Sequence, residues 1–217
     1  MQRDIEKIFD ILKEELKDYT IPVAEQINIK TKKPFFVLIG TILSARTKDE
    51  VTAKASNKLF KKVKNIDELE KLTTKQIEKL IYPVGFYKTK AEHLKLLPKI
   101  LKDRFDEIIP SEIDELIKLP GVGRKTANLV RSIAFNKPAI CVDTHVHRIM
   151  NRLGYVKTNT PLKTEMKLRR KLPEELWNLT NYLLVILGQN ICKPITPSCS
   201  RCPVNKLCPK NGVNKSN

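Results

Sequence analysis

Residues 119–130 read Leu-Pro-Gly-Val-Gly-Arg-Lys-Thr-Ala-Asn-Leu-Val, a run that admits few backbone paths. Gly121 and Gly123 carry no Cβ, so the chain can turn tightly there and bring its N–H groups close to an outside oxygen. The stretch that follows starts a helix, whose N-terminal end favours negative charge and suits a phosphate. Upstream, Ser111 and Asp114 form a capping-box-like start for a short helix with Ile113, Leu116 and Ile117 on its apolar face. The segment from about 112 to 135 therefore reads helix, hairpin, helix. Gly121, Val122 and Gly123 present backbone to a phosphate, and Arg124 and Lys125 stand at the helix mouth.

The rest of the chain is patterned as helix. Ile5, Ile8, Phe9, Leu12 and Leu16 form one stripe; Val51, Ala55, Leu59 and Val63 form another, with Thr47 and Glu50 as its capping box. Pro34 opens an apolar run from Phe35 to Ala45 that reads as a helix buried on every side. Thr73 and Gln76 cap a helix that Pro83 and Gly85 end, and a longer one runs from about Lys88 to Phe105, with Pro98 expected to kink it. Further helices are expected over 144–153, 162–172 and 174–191, the last two parted by Pro173. No run of five or more residues alternates as a strand does, so the expected fold class is all-α.

At 217 residues the chain can bury a substantial core as one domain or two. Its net charge of +17 is spread along the whole length, which points to a polyanion partner, although lysines on solvated helix faces contribute to the same count. The longest apolar run, Leu183 to Leu187, falls far short of the roughly 20 residues a membrane span requires. The first residues show no signal or transit pattern, so a cytoplasmic, monomeric protein is expected, nucleoid-associated in a prokaryote.

Five cysteines in a reducing compartment argue for metal binding over disulfides. Cys192, Cys199, Cys202 and Cys208 are spaced C-x6-C-x2-C-x5-C and interleaved with Pro194, Pro197 and Pro203. Four thiolates suit either tetrahedral zinc or a [4Fe-4S] cube, and the spacing does not choose between them. Cys141, between Ile140 and Val142, reads as a plain buried thiol. His145 and His147, two apart on a helix, point to different sides and do not share an ion.

The hairpin, the segment Val142-Asp143-Thr144-His145 and the cysteine spacing occur together and in order. In this combination the chain resembles the endonuclease III family of base-excision DNA glycosylases. The likeness runs from about Phe35 through Ser-Ala-Arg at 44–46 and Val-Gly-Phe-Tyr-Lys-Thr-Lys-Ala at 84–91 to Cys208. It implies two helical domains with a DNA-binding cleft between them. One is a six-helix domain over 27–137; the other joins 1–26 to 138–217 and carries a [4Fe-4S] cluster on the four cysteines. The implied partner is double-stranded DNA with damaged bases or abasic sites.

The resemblance casts Lys125 as the nucleophile and Asp143 as the catalytic carboxylate. An ordinary lysine is only about 0.04% neutral at pH 7, so the amine needs help, which burial and the neighbouring Arg124 would supply. Asp143 also reads as the N-cap of the helix that follows, a role compatible with catalysis. Base flipping requires a plug for the vacated stack. Family members commonly carry glutamine where this chain has Arg46 and leucine where it has Phe86; both residues remain able to fill a gap, and His145 reads as a further DNA-facing or structural side chain. The implied activity is a bifunctional glycosylase and abasic-site lyase acting on oxidised pyrimidines. A binding module without chemistry and a monofunctional mismatch glycosylase are the alternatives; Lys125 with Asp143 counts against both.

Overall fold

The computed structural model describes residues 2–217, with side chains from Ile5 onward. Met1, the first residue of the expected cluster domain and of the signal-free start, lies outside the described residues. Twelve α-helices and three short 3-10 turns occur among the described residues, with no strand, in keeping with the all-α expectation. Packing divides the chain into two units, Met1–Pro22 with Pro138–Asn217, and Val23–Lys137.

The second unit holds α2 (Val23–Thr31), α3 (Pro34–Ser44), α4 (Asp49–Lys62), α5 (Ile66–Lys71), α6 (Thr74–Ile81), α7 (Tyr87–Phe105), α8 (Ile113–Leu116) and α9 (Arg124–Phe135). These are eight segments where the resemblance implies six, and α5 and α8 are short. Its axis is α3. Pro34 starts it, since the first turn needs no N–H from that position, and every residue from Phe35 to Leu43 is buried. Helices α2, α4, α7 and α9 pack around it, and each fully buried aliphatic side chain in such a core contributes roughly 1.5–3 kcal/mol. Asn65 caps α5, accepting from the Glu68 N–H at 2.9 Å. Thr73 and Gln76 form the expected reciprocal capping box at α6, with bonds of 3.3 and 2.8 Å. Helix α7 runs on through Pro98, which is buried.

Two expected caps do not form. Helix α4 begins after Lys48 with no side-chain cap, because the Thr47 hydroxyl accepts hydrogen bonds from the Gly85 N–H and the Lys90 ammonium instead. Helix α8 begins after Glu112, also uncapped. Ser111 is engaged by α9 and the residues beyond it: Lys137 donates to its hydroxyl at 2.6 Å and Arg131 to its carbonyl at 3.0 Å. In both places a distant donor outcompetes the local N–H groups.

The first unit packs α1 (Gln2–Glu15), α10 (Thr144–Arg152), α11 (Pro161–Lys171) and α12 (Trp177–Asn190). The α1 stripe of Ile5, Ile8, Phe9 and Leu12, with Leu16 beyond it, meets Leu183, Leu184, Ile186 and Leu187 of α12 in one core. After Pro173 the chain makes a tight turn, Glu174–Leu176, before α12 proper begins. No helix of the described residues is long and apolar enough to cross a membrane.

Candidate active site and metal centre

The hairpin joins α8 to α9. Gly121 has φ +75°, a left-handed backbone, and a Cβ built there would lie 2.7 Å from Nδ1 of His93 on α7. Both its handedness and its close approach therefore require glycine. Gly123 differs: it is the N-cap of α9 with φ −91°, and a Cβ there would meet nothing within 4 Å. Nothing inside the protein demands a glycine at 123, so the open space in front of it is available to a ligand. Val122 is buried and its N–H donates to the Leu119 carbonyl at 3.1 Å, closing the turn, so it offers no free N–H to a phosphate, contrary to the expectation from the sequence. Glu112 ties the two helices together, bonding Arg131 at 2.7 Å and Lys137 at 2.8 Å. Hydrogen bonds from Lys137 and then Arg131 hold the Glu112 carboxyl down at about 2.

Arg124 and Lys125 occupy the first turn of α9 and both are exposed. This corrects the expectation that burial within the protein desolvates the Lys125 amine. The reason is positional: Thr126, Ala127, Asn128 and Val130 take the inward face of α9, and residue 125 falls on the outward one.

Asp143 is the N-cap of α10, as its place before the helix predicts. Its Oδ1 accepts from the His145 N–H at 2.8 Å and the Val146 N–H at 2.9 Å. His145 and His147 diverge, as their spacing requires. His145 Nδ1 lies 3.1 Å from a guanidinium nitrogen of Arg148, while His147 Nδ1 meets the Thr164 hydroxyl at 2.7 Å.

Arg46 and Phe86 lie on separate loops of the second unit, yet the Arg46 guanidinium sits 5.5 Å from the centroid of the Phe86 ring. Both are exposed, and both hold left-handed backbones, φ 52° and 57°, which non-glycine residues adopt at a cost. Residue types suited to plugging a base stack are thus brought side by side.

Cys192, Cys199, Cys202 and Cys208 are free thiols that line one cavity together with Arg152, Ile191 and Pro197. Burial, and the closeness of the other three sulfurs, push the Cys202 thiol up to about 11. Arg152 donates to Cys192 Sγ at 3.3 Å and the Lys210 N–H to Cys208 Sγ at 3.4 Å. Among the described residues no three His, Cys, Asp or Glu side chains converge as they would on a single metal ion. Cys141 is buried, as read from its apolar neighbours.

Sequence reasoning passed over Lys90 and Arg152, both buried. A signal for Lys90 was present: it shares a stripe with Leu94, Leu97 and Leu101, all at zero exposure, so helical spacing puts it in the core.

Comparison with known proteins follows this geometry. The family model described as HhH-GPD superfamily base excision DNA repair protein matches residues 39–174. The chain is 49% identical over 181 residues to endonuclease III of Thermotoga maritima, which covers 83% of this chain and 85% of that protein. Among solved structures, a non-covalent endonuclease III–DNA complex is similar with TM-score 0.85 and 34% identity, covering 97% of this chain and 96% of that one. A trapped endonuclease III–DNA covalent intermediate, the estranged-adenine complex, is similar with TM-score 0.83, 33% identity and the same coverage.

Proposed function

Because this chain belongs to the HhH-GPD superfamily of base excision DNA repair proteins and, within it, to the endonuclease III family, we propose that it is a bifunctional DNA glycosylase and abasic-site lyase that removes oxidised pyrimidines from duplex DNA. Lys125 carries this reading: it is an exposed amine in the first turn of the helix after the hairpin, in a chain similar to an endonuclease III trapped covalently on DNA.

The chemistry follows from that placement. The backbone at Gly121 and Gly123 receives a strand phosphate at the N-terminal end of α9, where the helix dipole favours it. This sets the sugar before Lys125. The neutral Nζ attacks C1′ and the damaged base departs with the bonding electrons. Loss of the amine proton and opening of the sugar leave an iminium, which acidifies the C2′ proton; its removal expels the 3′ phosphate and cuts the strand. Asp143 stays oriented by its two N–H bonds and stabilises positive charge developing on the sugar. Arg46 and Phe86 fill the stack that the flipped nucleotide leaves, and Arg124 and His145 contact the strand.

Four thiols bordering one cavity, in a chain of the endonuclease III family, support a [4Fe-4S] cluster on Cys192, Cys199, Cys202 and Cys208. Bound there, the cluster would cross-link the 192–208 loop through all four cysteines. The cluster domain then comprises 1–22 with 138–217, and the domain over 23–137, which begins at α2 rather than at residue 27, carries the hairpin. A DNA substrate implies a place beside the genome, which is the cytoplasm if the source is a prokaryote.

Borohydride added during turnover on a duplex containing thymine glycol tests the assignment. A covalent protein–DNA complex is expected from the wild type and none from Lys125→Ala. Undiminished trapping by that variant would remove Lys125 from the nucleophile's role, and binding without release of any oxidised base would leave a DNA-binding module.

A further inference from the structure

Lys90 is a lysine at 6% exposure inside the second unit. Its ammonium donates to the carbonyls of Leu43 at 2.8 Å and Ala45 at 2.6 Å, and to the Thr47 hydroxyl at 3.2 Å. Three protons thus meet three acceptors. Two of the acceptors lie at the C-terminal end of α3, where carbonyls run out of helical partners and positive charge is favoured. The third, Thr47, also accepts the Gly85 N–H at 3.1 Å and donates to the Ala45 carbonyl at 3.2 Å. The Lys90 side chain therefore ties the first turn of α7 to the end of α3 and the loop after it, and Thr47 carries the link on to Gly85 in the loop before α7.

The two loops it joins are those that carry Arg46 and Phe86. Arg46 stands between two of the tethered residues, Ala45 and Thr47, and Phe86 follows Gly85. A Cβ at Gly85 would lie 2.5 Å from the Arg46 carbonyl oxygen, so the loops also meet backbone to backbone. All three partners of Lys90 are neutral oxygens. Burial without a counter-ion pushes its ammonium down to about 8, a cost that a methionine filling the same space would not carry. Each loop is closed by its own turn bond, Thr47 N–H to the Ser44 carbonyl at 3.0 Å and Tyr87 N–H to the Val84 carbonyl at 3.1 Å; what the ammonium adds is a fixed relation between the two turns.

We propose that Lys90 is a positioning residue: its ammonium locks the Arg46 and Phe86 loops into one preformed wedge, so that the vacated stack is filled without first ordering either loop. This rests on the reading that Arg46 and Phe86 fill the stack.

The test is a mutant cycle on the holoprotein. Single-turnover base release is followed on a fully paired thymine glycol duplex, with 2-aminopurine opposite the lesion to report insertion into the stack. Lys90→Met is expected to slow release and the fluorescence change by about tenfold or more in the wild-type background. In an Arg46→Ala/Phe86→Ala background it should change neither by more than about twofold, since residues acting as one unit are not additive. A full Lys90→Met loss in both backgrounds would make Lys90 merely structural, and no loss in either would also overturn the proposal. If instead the Arg46→Ala/Phe86→Ala protein matches wild type in release and fluorescence, the stack-filling reading itself falls. Should Lys90→Met fail to fold, Thr47→Val, which cuts the same link at the hydroxyl, runs through the identical cycle with the same expectations.

Discussion

Gly188 lets α12 lie against His145 of α10 more closely than any other residue would: a Cβ there would stand 2.4 Å from Nδ1 and 2.9 Å from Cβ of the histidine. His145 in turn meets Arg148, whose guanidinium also donates to the Gly188 carbonyl at 3.3 Å and to the Cys192 carbonyl at 2.8 Å. One glycine thus sets the histidine, the arginine and the start of the cysteine loop. Gly188→Ala should destabilise the protein by about 1–3 kcal/mol through overpacking and weaken binding to a duplex with an abasic-site analogue. Calorimetry and a binding titration measure the two effects; wild-type values in both would mean that the ring can move aside at no cost.

Asp143 joins a structural and a chemical role in one carboxylate, and two substitutions separate them. Asparagine caps a helix about as well as aspartate, whereas alanine costs about 0.5–2 kcal/mol. Asp143→Asn should therefore unfold at nearly the wild-type temperature while losing most base release. Asp143→Ala should lose both. Wild-type turnover by the asparagine variant would exclude the negative charge from the chemistry.

Glu25, on α2, is a buried carboxyl whose Oε2 has no hydrogen-bond partner. Burial, with a smaller contribution from the charge of Asp49, pushes it up from 4.5 to about 7. A carboxyl raised on folding contributes stability that is full below about pH 4.5 and is lost as pH rises through 7, on the order of 3 kcal/mol in all. Glu25→Gln should consequently melt near the wild-type temperature at pH 4.5 and above it at pH 8. Parallel melting curves for the two proteins across that range would show that Glu25 ionises in the folded state as readily as in the unfolded one.

Much of this was legible from residues near one another in the chain. The α1 stripe, the Thr73–Gln76 box, the Asp143 cap and the all-apolar α3 each rest on contacts three or four residues apart, which spacing alone specifies. The cysteine quartet was legible as a metal-binding set for the same reason, although its spacing suits zinc and [4Fe-4S] equally; the fold brings all four thiols to one cavity. The misread caps, Thr47 and Ser111, are hydroxyls in good local positions that found partners elsewhere in the fold.

By itself the sequence determined an all-helical chain, its hairpin, most of its helix ends and the residue types for amine attack beside DNA, because these follow from backbone geometry and short-range periodicity. Tertiary structure alone decided which of those residues meet across the fold. It bonded the Lys90 ammonium to Leu43, Ala45 and Thr47, set Gly121 against His93, and brought Arg46 beside Phe86. Each of these turns on atoms whose residues stand tens of positions apart. Their meeting is fixed by how whole helices pack, which no local pattern records.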